Sequence, residues 1–138
     1  MSSLNIGNQA YHVRMYFPQF RLGKRGPKRY LIGTLQPTPS SSVYTVKIEY
    51  QGTKPKVFIL HPKLLKSAPH VYPDKSLCLY YPKDASYHTG QYLSHTIIPW
   101  AAEWLYFYEV WVRTGVWWGR EAPHNLNSKR GSKIAGKQ

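Results

Sequence analysis

The chain has 138 residues, 42% of them apolar and 15% aromatic, and a formal net charge of +13; this describes one globular domain with a real core and excludes a disordered chain. A single cysteine excludes an internal disulfide, and no Cys-x-x-Cys or Cys/His cluster offers a zinc site, so a reducing, cytoplasmic setting is the default. No acidic residue precedes Glu49, whereas Arg14, Arg21, Lys24, Arg25, Lys28 and Arg29 do. Such a field favours an acidic partner, but without a clustered patch or a known module nucleic acid is not expected as the primary target.

Met1–Gln9 is polar and holds no apolar signal-peptide core. From Asn5 to Phe20 aromatic and polar residues mix without clean periodicity, and Pro18 breaks a helix, so none is expected there. Gly23–Lys28 reads as a basic loop. Three strands follow: Arg29–Gln36; Val43–Tyr50, where Val43, Thr45, Lys47 and Glu49 alternate with Tyr44, Val46, Ile48 and Tyr50; and Lys56–His61. The turns between them are Pro37–Ser42 and Gln51-Gly52-Thr53, so the strands form an antiparallel meander. Pro62–Ser76 is rich in proline and polar residues and is expected to cross the face of the sheet as an ordered loop. Leu77–Tyr81 is strand-like and ended by Pro82, and Lys83–Ser94 is irregular.

The longest apolar run, Thr96 to Val112, is interrupted by Glu103 and Glu109, charges too costly for a bilayer, so it is a buried helix of a water-soluble domain and no membrane partner is expected. Pro99 suits its first turn and Gly115 its C-terminal cap. Trp100, Trp104, Phe107 and Trp111 make one stripe, with Ala101, Leu105, Tyr108 and Val112 beside it; with few charges, most of the circumference should be covered. Glu109 reads as a helix-surface charge. Trp117-Trp118 turns back. The organisation is one domain over 1–121, with a basic N-terminal segment 1–28, and a flexible basic tail over 122–138.

Cys78 is the residue that carries chemistry. It stands between two leucines, where a cysteine commonly serves as a small buried hydrophobe. The polar turn Asp74-Lys75-Ser76 just before it keeps one side near solvent, and cationic surroundings would favour the thiolate. His70, eight residues upstream after Pro69, reads either as a surface histidine or as a donor aimed at the oxyanion of an attacked thioester; it could also take a proton from an amine. His12, His61, His88, His95 and His124 lack metal-ligand spacing and read as structural or solvated, with His88 and His124 in loops that could fold back towards Cys78. No metal or cofactor is expected.

The order of a three-strand meander, a crossing loop, a turn, Leu77-Cys78-Leu79 and a large helix resembles that of ubiquitin-conjugating (E2) enzymes. Their His-Pro-Asn triplet, whose asparagine lies eight residues before the active cysteine, has Ala68-Pro69-His70 in its place here. A closer likeness is to the stand-alone bacterial E2-like proteins of CBASS anti-phage operons. It is carried by Leu31-Ile32-Gly33-Thr34-Leu35-Gln36-Pro37-Thr38-Pro39, by Pro69-His70-Val71-Tyr72 through Cys78-Leu79-Tyr80-Tyr81, and by Ile98-Pro99-Trp100 with Glu103-Trp104-Leu105, and it extends to Tyr108-Glu109 and Thr114-Gly115. The chain is expected to depart from the eukaryotic pattern, with no regular N-terminal helix, no further C-terminal helices and no clear equivalent of the downstream aspartate.

This resemblance implies an α+β, ubiquitin-conjugating-like fold with the meander packed on the tryptophan-rich helix. It implies that Cys78 is the nucleophile, with His70 in the place of the asparagine. The thioester would carry the C-terminal tail of a partner protein, the cognate cGAS/DncV-like nucleotidyltransferase, before transfer to a target protein or other amine acceptor. An E1-like activating enzyme is an optional further partner. The alternatives are a non-catalytic binding module of the same fold, a nucleic-acid-binding domain acting through the basic termini, and a cysteine hydrolase using Cys78 and His70.

Overall fold

The computed structural model describes residues 5–50, 54–79 and 90–119. The expectations for the turn Gln51–Thr53, for Tyr80–Pro82, for His88 and His124, and for the tail 122–138 lie outside these residues. Among them the chain runs α1 (Ile6–Tyr16), β1 (Arg21–Arg25), β2 (Lys28–Leu35), β3 (Tyr44–Glu49), β4 (Lys56–His61) and α2 (Ile97–Thr114). The four strands pair antiparallel in sequence order, which gives the expected α+β meander one strand more than its alternation revealed.

The segment Asn5 to Phe20, expected to be non-helical, holds α1. Asn5 caps it by accepting a hydrogen bond from the Asn8 N–H at 2.8 Å. Pro18 acts only downstream: it restricts the residue before it, and the helix stops at Tyr16 with Phe17 already out of helical geometry. Periodicity is faint because α1 buries just Gln9, Ala10 and Val13. Gln9 is wholly buried and uses both ends of its amide. Its Nε2 donates to the Gln91 carbonyl at 3.0 Å, and its Oε1 accepts from the Leu93 N–H at 2.8 Å, which ties α1 to the approach of α2.

The basic loop expected over Gly23–Lys28 is the tip of a hairpin. Arg25 pairs with Lys28 and Lys24 with Arg29, so only Gly26-Pro27 turns the chain. Gly26 has φ +59, and the proline after it fixes a negative φ, the sign pattern of a type II′ hairpin turn. β1 is an edge strand with cations on both faces, which hides the alternation a half-buried strand would show. The clean alternation of β3 is as expected: Tyr44, Val46 and Ile48 are buried, while Thr45, Lys47 and Glu49 point away from the core. Leu31, Gly33 and Leu35 of β2 line the same face, and a Cβ on Gly33 would come within 2.4 Å of the Phe20 ring.

α2 supplies Ile97, Ile98, Ala101, Trp104, Leu105 and Tyr108 to the same core as Leu31, Val46, Ile48 and Val57 of the sheet. Its buried stripe therefore takes members from both expected stripes. Trp100 and Trp111 are half-buried, and Val112 is 49% exposed, so α2 is less covered than expected. Pro99 stands in the first turn, where a missing N–H breaks no helical bond, and Gly115 caps the end at φ 80 by donating to the Trp111 carbonyl at 2.7 Å. No described helix is long and apolar enough to cross a membrane.

Glu109 is not a free surface charge. Its carboxylate accepts from Ser41 Oγ and from the Tyr44 hydroxyl, both at 2.7 Å, and so fastens the β2–β3 turn to α2. Burial first, and then this bond, push the Tyr44 phenol well above its ordinary range.

Two substitutions test this packing. Gly33→Ala is expected to cost about 2 kcal/mol, read as a lower urea midpoint, with Phe20→Leu in the same chain recovering part of the loss. Glu109→Ala leaves the hydroxyl of Tyr44, a buried residue, without its acceptor and is expected to cost about 1–3 kcal/mol on the same readout.

Candidate active site around Cys78

The described part of the expected strand Leu77–Tyr81, residues 77–79, forms no strand. Leu77 makes an isolated antiparallel bridge with Val71, and residues 78–79 belong to no strand. The segment's hydrogen bonds go elsewhere: Leu77 N–H donates to the Val57 carbonyl of the edge strand β4 at 2.9 Å, and Cys78 N–H donates to the His70 carbonyl at 3.0 Å. The long loop after β4 thus ends in a tight turn seated beside the sheet.

Side-chain and backbone bonds fix that turn from within. Tyr72 N–H donates to the Ser76 carbonyl, and Lys75 N–H to the Tyr72 carbonyl, both at 2.8 Å. Asp74 Oδ1 accepts from the Ser76 N–H at 2.9 Å and from Ser76 Oγ at 2.6 Å, the local bonding by which aspartate shapes turns. Its Oδ2 faces Lys56 Nζ of β4 at 2.8 Å. The Lys56 bond, followed by those from Ser76, lowers the Asp74 carboxyl to about 2. The folded state therefore favours the ionised form, and this contribution is whole above pH 4 or so and lost as pH falls towards 2; the pair is exposed, so it is small. His70 and Lys75 hold positive φ angles of 58 and 78, costly for side chains with a Cβ and tolerable because these bonds over-determine the turn.

Leu77 enters the core and Val71 packs against it, and the bridge between them sets His70 opposite Cys78 and Tyr72 opposite Ser76 on the other face of the hairpin. Trp104 of α2 anchors the arrangement: its Nε1–H donates to the same His70 carbonyl at 3.3 Å. After α2 the chain returns to lay the Trp117 ring 4.9 Å from the His70 imidazole and 5.3 Å from Trp104, while Trp118 stays exposed.

Cys78 is half-buried, and its thiol is pushed up to about 11, by burial above all; a hydrogen bond from the Tyr72 side chain works the other way, and the Asp74 charge adds to the rise. The expectation of a cation-favoured thiolate is therefore corrected. Although Lys75 stands in the same turn, the charge that acts on the thiol is that of Asp74. The turn brings Cys78 together with His70 through the backbone and with Tyr72 through the side chain. Tyr72 is the residue that reading the sequence missed. Its signal was positional, since it stands two residues beyond His70 and so on the same side of a hairpin.

The remaining described histidines lie apart from this turn. His12 stacks on Tyr92 at 3.6 Å with His95 at its edge, and His61 ends β4 exposed. Among the described residues no group of three His, Cys, Asp or Glu side chains could hold a metal ion.

An antiparallel meander, a long helix joined to its core, and one cysteine on a turn bonded to the edge strand are consistent with a ubiquitin-conjugating-like domain. Residues 9–125 match the family described as Type II CBASS E2 protein, and the chain belongs to that family. The resemblance to bacterial E2-like proteins of anti-phage CBASS systems is thereby borne out. No curated protein matches the chain.

Alkylation of the folded protein by iodoacetamide is expected to rise with pH through an inflection near 11, and through one near 9 once the chain is unfolded in urea. At pH 8 the folded protein should react about a hundredfold more slowly than the unfolded one, the ratio of their thiolate fractions. The folded state holds the thiol proton more tightly, so this contribution to stability is whole below about pH 9 and lost as pH rises through 11.

Proposed function

We propose that the chain is an E2-like transferase whose Cys78 accepts the C-terminal carboxyl of a partner protein as a thioester and passes it to an amine. The partner is the cognate cGAS/DncV-like nucleotidyltransferase, and the transfer primes anti-phage signalling. Covalent catalysis of this kind divides one difficult acyl transfer into two easier ones. The observation that carries the reading is a lone, half-buried cysteine on a turn fixed by its own backbone bonds, in a chain of the CBASS E2 family.

The high thiol pKa suits a carrier. A thiol that keeps its proton at neutral pH is sparingly reactive towards stray oxidants and electrophiles, yet its thioester remains open to attack by nitrogen. His70 stands across the turn from Cys78 and supplies an oxyanion donor or a base for the attacking amine. An E1-like enzyme would serve where the partner's carboxyl needs activation. The same high pKa is also the one observation that favours the alternative, a non-catalytic module that grips the partner's tail.

Intact-mass analysis of the protein mixed with its partner separates the two. The expected result is a covalent adduct cleaved by thiol reductant or hydroxylamine, absent from Cys78→Ala and converted in Cys78→Lys to a reductant-resistant amide. An adduct that persists in Cys78→Ala would rule the transferase out.

A further inference from the structure

The side chain hydrogen-bonded to the Cys78 thiol is that of Tyr72. The turn sets up this contact, because the Tyr72–Ser76 and His70–Cys78 backbone bonds flank the Val71–Leu77 bridge and leave Tyr72 diagonal to Cys78 on the same face of the hairpin. Diagonal neighbours in a hairpin lie within reach of an aromatic side chain. Tyr72 is 40% exposed and hydrogen-bonded to the thiol, which sets it beside any acyl group carried on sulfur. Asp74, Ser76 and Trp104 also hold the turn.

We propose that Tyr72 is a catalytic residue of acyl transfer at Cys78, its phenolic O–H serving the carbonyl oxygen and the departing sulfur in turn. The proposal rests on the acyl-carrier reading above and adds a residue to it. An amine attacks the thioester carbon. A C–N bond forms, the carbonyl π pair moves onto oxygen, and the oxyanion accepts a hydrogen bond from Tyr72. Collapse restores C=O, breaks the C–S bond and leaves its electron pair on Sγ, which again accepts from Tyr72. The attacking nitrogen gives up one proton and the thiolate takes one, so the products are an amide and a thiol with no net proton released. The burial that raises the thiol pKa also makes the thiolate a poor leaving group, and a donor at sulfur reduces that cost.

The test loads Cys78 by exchange with the N-acetylglycyl thioester of 2-mercaptoethanesulfonate and follows discharge to free lysine by intact mass. Tyr72→Phe is expected to load to the same extent and discharge roughly tenfold more slowly, less than the loss of a buried oxyanion donor because water substitutes in part. Its iodoacetamide profile should move to higher pH, and Tyr72→His, which returns a donor, should recover part of the discharge rate. The urea midpoint of Tyr72→Phe should be unchanged, because the ring is kept. Equal discharge by Tyr72→Phe and the natural protein overturns the proposal, as does discharge from Cys78 no faster than from the same acyl group on N-acetylcysteine. Chemical loading needs no partner protein, so failure of the partner adduct would remove the transferase reading and leave this result standing on its own.

Discussion

One backbone oxygen organises the region around the cysteine. The His70 carbonyl accepts both the Cys78 N–H, which closes the turn, and the Trp104 indole N–H, which fastens that turn to α2. Trp104 is in turn stacked on Tyr108 and set against Trp117, and Tyr108 uses its hydroxyl to hold the Leu65 N–H of the same long loop. A carbonyl with two lone pairs can serve two donors at once, and here it makes one half-strained residue common to loop, thiol and helix. His70 holds its positive φ at this shared acceptor.

The electrostatics of the turn run against the charge of the whole protein. In a chain of net charge +13, the charge that acts on the single thiol is an aspartate's, and a phenol bonds to that thiol. The net field favours an acidic partner, while burial at the turn keeps the sulfur protonated at neutral pH.

Where one side of an element is packed and the other wet, its residues announced it. β3 shows this most plainly, because Tyr44, Val46 and Ile48 enter the core between Thr45, Lys47 and Glu49. The cap of α2 was legible because only a residue tolerant of positive φ, Gly115, could close it. β1 and α1 were hidden for opposite reasons. β1 carries cations on both faces of an edge strand, and α1 buries three side chains only, one of them the polar Gln9. Glu109 was misread because its hydroxyl partners, Ser41 and Tyr44, come from a turn and strand far away in the chain. Cys78 and His70 were legible as candidates from spacing, but the thiol pKa depends on burial that spacing does not encode, and Tyr72 emerges only once the hairpin register is known.

The two borders of the sheet answer dissolved ions in opposite ways. On β1 and β2, Lys24 faces Arg29 and Arg25 faces Lys28, and among the described residues no carboxylate pairs with them. Like charges placed directly across a ladder repel, so an ionic atmosphere firms that border. On β4, by contrast, Lys56 attracts Asp74 of the cysteine turn, and the same atmosphere weakens the attraction. Raising the ionic strength therefore steadies the end of the sheet remote in sequence from the thiol while slackening the tether that holds the thiol's own turn.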